Sequence, residues 1–143
     1  MSRLTIMMLV LLLAGCAAKT EPIENYVHTV STAGQELIAH DAVKKLVEIY
    51  PPAKTRLDLQ HPHDPFGLLL VRDLRVEGYA IKELVPEDKP DAASEGLLLR
   101  YVLDRADTSL FRLTLTVGSQ SVSRPYQEEN GTIKPAGSWI HRE

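Results

Sequence analysis

The chain has 143 residues, 44% of them apolar, with a formal charge of −3. That length supports one modest domain with a real core but not two comfortably. No basic cluster is denser than Lys44-Lys45, so the gathered positive face of a nucleic-acid binder is excluded and no direct nucleic-acid binding is expected.

The first residues carry a signal of their own. Met1, Ser2 and Arg3 form a short positive leader, Leu4 to Leu13 an apolar run, and Leu13-Ala14-Gly15-Cys16 closes it at the only cysteine of the chain. This order is that of a lipoprotein signal peptide, predicting cleavage after residue 15 and lipid attachment at Cys16. The stretch from Leu4 to Ala18 falls short of the roughly 20 apolar residues that a membrane span needs. Acyl chains, each contributing about 0.8 kcal/mol per buried CH2, would then hold the protein on a bilayer. With Cys16 consumed, the mature chain has no thiol for disulfides, nucleophilic catalysis or metal binding. The start resembles that of bacterial lipoproteins generally, in which Asp after the lipidated Cys favours retention in the inner membrane. Ala17 stands there, which points to the outer membrane with the domain in the periplasm.

Residues 16–31 read as a lipidated N-terminus and tether, being small, polar or helix-breaking without a sustained period. A single domain is expected over 32–143. Thr32 and Gln35 have capping-box spacing, and Leu37, Ile38, Ala42, Leu46, Val47 and Ile49 recur at helical spacing until Pro51-Pro52, which predicts a helix over about 33–49. Lys54 to Gln60 alternates as a half-buried strand, with Thr55, Leu57 and Leu59 on the apolar side and Asp58 on the polar one. Asp64 is a good N-cap, Pro65 suits the first helical position, and Phe66, Leu69, Leu70 and Leu74 form a stripe ending at Gly78. A strand over 79–84 follows, with Tyr79 and Ile81 on one face, and then a polar loop over 86–95.

The second half reads as strands alone. Leu97, Leu99, Tyr101 and Leu103 alternate with Leu98, Arg100, Val102 and Asp104, a turn falls at 106–108, and Phe111, Leu113, Leu115 and Val117 alternate with Arg112, Thr114 and Thr116. Gly118-Ser119 permits a turn into a strand over 120–126, and Asn130-Gly131 is a favoured hairpin turn before Thr132 and Ile133. The fold class is therefore α+β, a two-layer sandwich with two helices packed on a mainly antiparallel sheet. Leu98 and Val102 sit on the nominally polar side, either because part of that face is covered or as scattered surface apolars.

The residues that carry chemistry have simpler explanations. His61, Pro62, His63 and Asp64 bring two imidazoles and a carboxylate together, but Asp64 already serves as a cap and no third ligand follows, so no metal is expected. His40 and Asp41 are adjacent on a helix and point in different directions. His28 lies in the tether and His141 near the end of the chain. Glu128-Glu129 beside Asn130-Gly131 reads as a solvated edge, and no nucleophile elbow, phosphate loop or zinc-protease helix is present. The expectation is a protein that is not an enzyme and takes no cofactor. Trp139, the only tryptophan, is a candidate interface residue together with Tyr126; the competing reading packs Trp139 on the sheet beside Tyr126 as core.

The lipobox at Cys16, the run from Asp41 through Tyr50-Pro51-Pro52 into the strand Thr55 to Gln60, the segment from Asp64-Pro65-Phe66-Gly67 to Gly78-Tyr79-Ala80, and Pro135-Ala136-Gly137-Ser138-Trp139 together resemble the conjugal transfer lipoprotein family TrbH. The likeness covers nearly the whole chain. It implies a component of the mating-pair-formation apparatus, a type IV secretion system that moves plasmid DNA between bacteria. It also implies protein partners in a secretion channel, an oligomeric state set by that assembly, and no catalytic residues. The alternative is a stand-alone envelope lipoprotein that binds peptidoglycan or regulates a cell-wall enzyme.

Overall fold

The structure, a computed structural model, describes residues 27–60, 63–84 and 94–143. A short 3-10 turn, Val27–Thr29, leads into helix α1, Thr32–Ile49. After a second 3-10 turn, Pro52–Lys54, come strand β1 (Arg56–Gln60), helix α2 (Pro65–Val76) and strand β2 (Ala80–Leu84). Five strands follow: β3 (Leu97–Asp107), β4 (Leu110–Val117), β5 (Gln120–Glu129), β6 (Thr132–Pro135) and β7 (Ile140–Arg142).

These strands form one sheet in the order β2-β1-β3-β4-β5-β6, with β7 pairing β5 on the same edge as β6. The expected α+β architecture is present, two helices on a mostly antiparallel sheet. Its first corner differs in kind, because β1 runs parallel to both β2 and β3. Parallel neighbours need a crossover, and α2 supplies it between β1 and β2.

The ends of both helices follow from side-chain chemistry. Ser31, not Thr32, caps α1, its hydroxyl accepting the Gly34 amide at 3.2 Å. Gln35 therefore falls outside capping-box spacing, and its side-chain amide donates instead to the carbonyls of Val27 and Val30, both at 2.9 Å. This staples the turn before the helix to the domain. Val27 and Val30 are buried in the core, so the segment 27–31, expected as the end of the tether, is packed with the domain. Two valines three apart suffice to fill a gap, too short a pattern to register as a period. Gly34 lets α1 pass close above them: a Cβ there would stand 2.6 Å from Ile133 Cγ1 on β6 and 2.9 Å from Val30 Cγ1.

Helix α2 starts as its sequence dictates, with Asp64 accepting the Gly67 amide at 2.8 Å and Pro65 at the first position. It ends in paired bonds from Gly78 N–H to Arg75 O and from Tyr79 N–H to Leu74 O, with Gly78 at φ +92°. That geometry is a Schellman stop, sealed by the burial of Tyr79 and Leu74.

The core lies between the helices and one face of the sheet. Helix α1 contributes Ile38, Ala39, Ala42, Val43 and Leu46, whereas Leu37, expected on the stripe, is 38% exposed. Helix α2 contributes Phe66, Leu70, Val71 and Leu74. They meet Leu57, Leu59, Leu99, Leu103, Phe111, Leu113 and Leu115, all fully buried. The alternation places Leu98 and Val102 on the other face, where both are half-buried. The turn expected at 106–108 falls later: β3 runs on to Asp107, and the register shifts between Arg105 and Asp107 as a bulge. Asn130 and Gly131 adopt φ of +50° and +75°, the conformation that a two-residue hairpin turn demands.

Candidate functional site

Cys16 and His61 lie outside the described residues, as do the leader and the first part of the expected tether. His63 is exposed, and the neighbouring Asp64 carboxylate accepts from the Gly67 amide and from the Tyr101 hydroxyl, both at 2.8 Å. Among the described residues no group of three His, Cys, Asp or Glu stands close enough to share a metal ion. The acceptor role of Asp64 was legible as a helix cap; its second bond to Tyr101 on β3, which stacks edge-on against Phe66 at 5.1 Å, was not.

His40 and Asp41 point apart. Asp41 turns towards β5, where Arg124 Nη1 lies 2.9 and 2.8 Å from its two oxygens and the Tyr126 hydroxyl donates at 2.7 Å. His40 is exposed on the neighbouring flank of α1, beside Lys44 and Val47. Tyr126, named with Trp139 as a candidate interface residue, is fully buried. Its position on β5 faces the helices, and its hydroxyl is turned to α1. Burial, then the hydrogen bond to Asp41 and that carboxylate's charge, hold its phenol far above the usual range, so it serves as a donor.

Arg124 ties the end of the chain to the same place. Its Nε donates to Gly137 O at 2.7 Å, and its guanidinium stands 5.9 Å from the Trp139 ring centroid. The Ala136 amide donates to Pro125 O at 2.9 Å, so the chain after β6 folds back along β5 before β7 pairs with it. Trp139 is thereby half-buried against the core, close to the reading that packs it on the sheet beside Tyr126. Its outer edge lines a depression of about 190 Å³ with Asp41, Lys44, Lys45, Glu48 and Arg124. Sequence reasoning missed Arg124, although a signal existed: it occupies an inward position between Val122 and Tyr126, where a charge must find a partner.

The alternation puts Asp58 on the polar side of β1, yet it is only 6% exposed. The Ser94 hydroxyl donates to it, and Gly96 packs directly over its carboxylate. A depression of about 430 Å³ opens beside it, bordered by Arg56, Lys82 and Glu95. Arg56 and Glu95 pair at 2.8 Å across its rim, both well exposed. Glu129 pairs with Lys134 at 3.6 Å across the Asn130-Gly131 hairpin, the solvated edge expected there. The charged groups that meet in these places bind one another.

Compared with known proteins, the chain matches the sequence model of the conjugal transfer protein TrbH over residues 18–143. No curated protein and no solved structure matches it.

Proposed function

The chain belongs to the TrbH family of conjugal transfer proteins, and from that premise we propose that it is an outer-membrane lipoprotein of the conjugative type IV secretion apparatus. In this reading Cys16 carries the lipid, the domain stands in the periplasm, and the protein acts by assembly and scaffolding without catalysis. The family match carries the reading; it spans nearly all of the chain beyond Cys16. The leader ending in Leu13-Ala14-Gly15-Cys16 supports the anchor. Among the described residues no helix is long and apolar enough to cross a membrane. A component held by acyl chains needs a folded body that offers binding surface, and the half-buried Trp139 is one place where such surface meets a large side chain.

The test is replacement of Cys16 in a conjugative donor. Cys16→Ser should leave an unprocessed precursor that takes up no labelled palmitate and no longer fractionates with the outer membrane, and transfer frequency should fall towards that of a gene deletion. Normal maturation and sorting of the variant would remove the anchor from this reading. Unchanged transfer in the deletion strain would remove the assembly role.

A further inference from the structure

The face of the sheet turned away from the helices has a composition that its register makes plain. Arg100 on β3 pairs with Thr116 on β4, Thr116 with Ser121 on β5, and Ser121 with Arg142 on β7. One step along the strands, Val102, Thr114, Ser123 and Ile140 line up in the same way. Partners across a ladder share a face, so the two rows form a floor of four small hydroxyl side chains walled by Arg100 and Val102 on one side and by Arg142 and Ile140 on the other. Three strand spacings separate the walls by roughly 14 Å.

Three observations show that this floor is open and charged. Among the described residues no helix packs on it, and both arginines are exposed with no ion pair. Ile140 is 56% exposed although it sits within the row. A cavity of about 290 Å³ adjoins it at Arg100, Val102, Thr116 and Gln60. Elsewhere on this face Arg112 is neutralised by Asp104, which makes the free charges at Arg100 and Arg142 a property of these rows.

We propose that this trough docks an acidic helix of a partner protein. A helix with its side chains is about 10–12 Å across, which fits between walls roughly 14 Å apart. Serine and threonine let its backbone come close, and carboxylates on its two flanks meet the two guanidiniums, which bind carboxylates through paired N–H donors. The hydroxyl floor lacks the apolar area of the opposite face, which suits reversible docking. A second copy laid face to face would set arginine against arginine. A single-stranded nucleic acid would find no aromatic ring on either row for its bases to stack upon.

This inference rests on the assembly reading, and its test is independent of transfer. The full chain, purified in detergent micelles, is titrated against a fluorescein-labelled alanine helix bearing glutamates on both flanks, with fluorescence anisotropy as the readout. Binding should weaken as salt is raised. It should fall at least about tenfold when Arg100→Glu and Arg142→Glu are combined, or when the peptide's glutamates are replaced by glutamine. Ser123→Trp, which raises the floor, should weaken it with both arginines in place, while Lys44→Glu on the helix side should leave it unchanged; circular dichroism melts establish that each variant folds. Equal binding by the double reversal, equal binding of the glutamine peptide, or loss through Lys44→Glu would overturn the proposal. So would tighter binding of labelled oligothymidylate, or self-association that the double reversal abolishes. A gene deletion that leaves transfer intact while the peptide still binds would instead refute the assembly role alone.

Discussion

Asp64 joins a helix terminus to the middle of the sheet, and its replacement separates two contributions that the sequence presents as one. Asp64→Ala deletes the cap of α2, costing about 1 kcal/mol, and deprives the buried Tyr101 hydroxyl of a charged acceptor, costing about 1.5–3 kcal/mol more. Together that is about 2.5–4 kcal/mol, a large share of the roughly 5–15 kcal/mol that holds a domain folded. Tyr101→Phe removes the same bond from its other end and leaves the cap in place, so it should cost about 1–2 kcal/mol. Because the bond can be lost only once, the double variant should fall short of the sum by about 1–2 kcal/mol. Asp64→Asn keeps a capping oxygen and should lie between wild type and Asp64→Ala. The assay is urea unfolding followed by circular dichroism on the chain lacking residues 1–16, with the denaturant slope unchanged across the series. Strict additivity, or an Asp64→Ala cost no greater than that of capping alone, would refute the coupling.

Leu113→Asp should unfold the domain, since an unpaired charge at a fully buried position costs several kcal/mol, whereas Thr114→Asp on the opposite face should melt close to wild type. Gly96→Ala should lower the melting temperature, because its Cβ would intrude on the Asp58 carboxylate that Ser94 holds in place, and the loss should shrink in Asp58→Ala. Stability should also decline in alkali. Burial, aided by the Glu77 charge, pushes the Tyr79 phenol up to about 12, so its contribution is whole below the unfolded value near 10 and is lost as pH rises from there through about 12. Unfolding monitored by circular dichroism should coincide with phenolate absorbance, and Tyr79→Phe should make the decline shallower.

What could be read in advance was whatever a few neighbouring residues decide among themselves. Asp64-Pro65, Gly78 and Asn130-Gly131 each impose a local conformation, and each stands where expected. The alternation through Leu99 to Val117 set the inward and outward faces of β3 and β4 correctly for the same reason, since the period is built into the strand. The parallel corner was not legible, because β1 meets β3 only after a helix and another strand have intervened. Nor was the joining of Asp41 to Arg124, which are 83 positions apart. Each taken singly is an ordinary charged residue on a helix or strand. Asp58 misled for a related reason: its alternation does place it on the outer face, but Ser94 and Gly96 arrive from elsewhere in the chain to cover it. Tyr126 lies at an inward position of β5 and is fully buried, as the parity it shares with Val122 dictates.

The burial of Val27 and Val30 bears on where this domain can work. If Cys16 carries the lipid, as proposed, Val27 lies only eleven positions after the anchor. Even drawn taut, eleven residues reach no further than about 36–40 Å. Were Thr32 the first packed residue, five more residues would add about 17 Å to that limit. In the proposed anchored reading, the staple from Gln35 to the carbonyls of Val27 and Val30 therefore lowers the upper bound on how far this edge of the domain can stand from the bilayer.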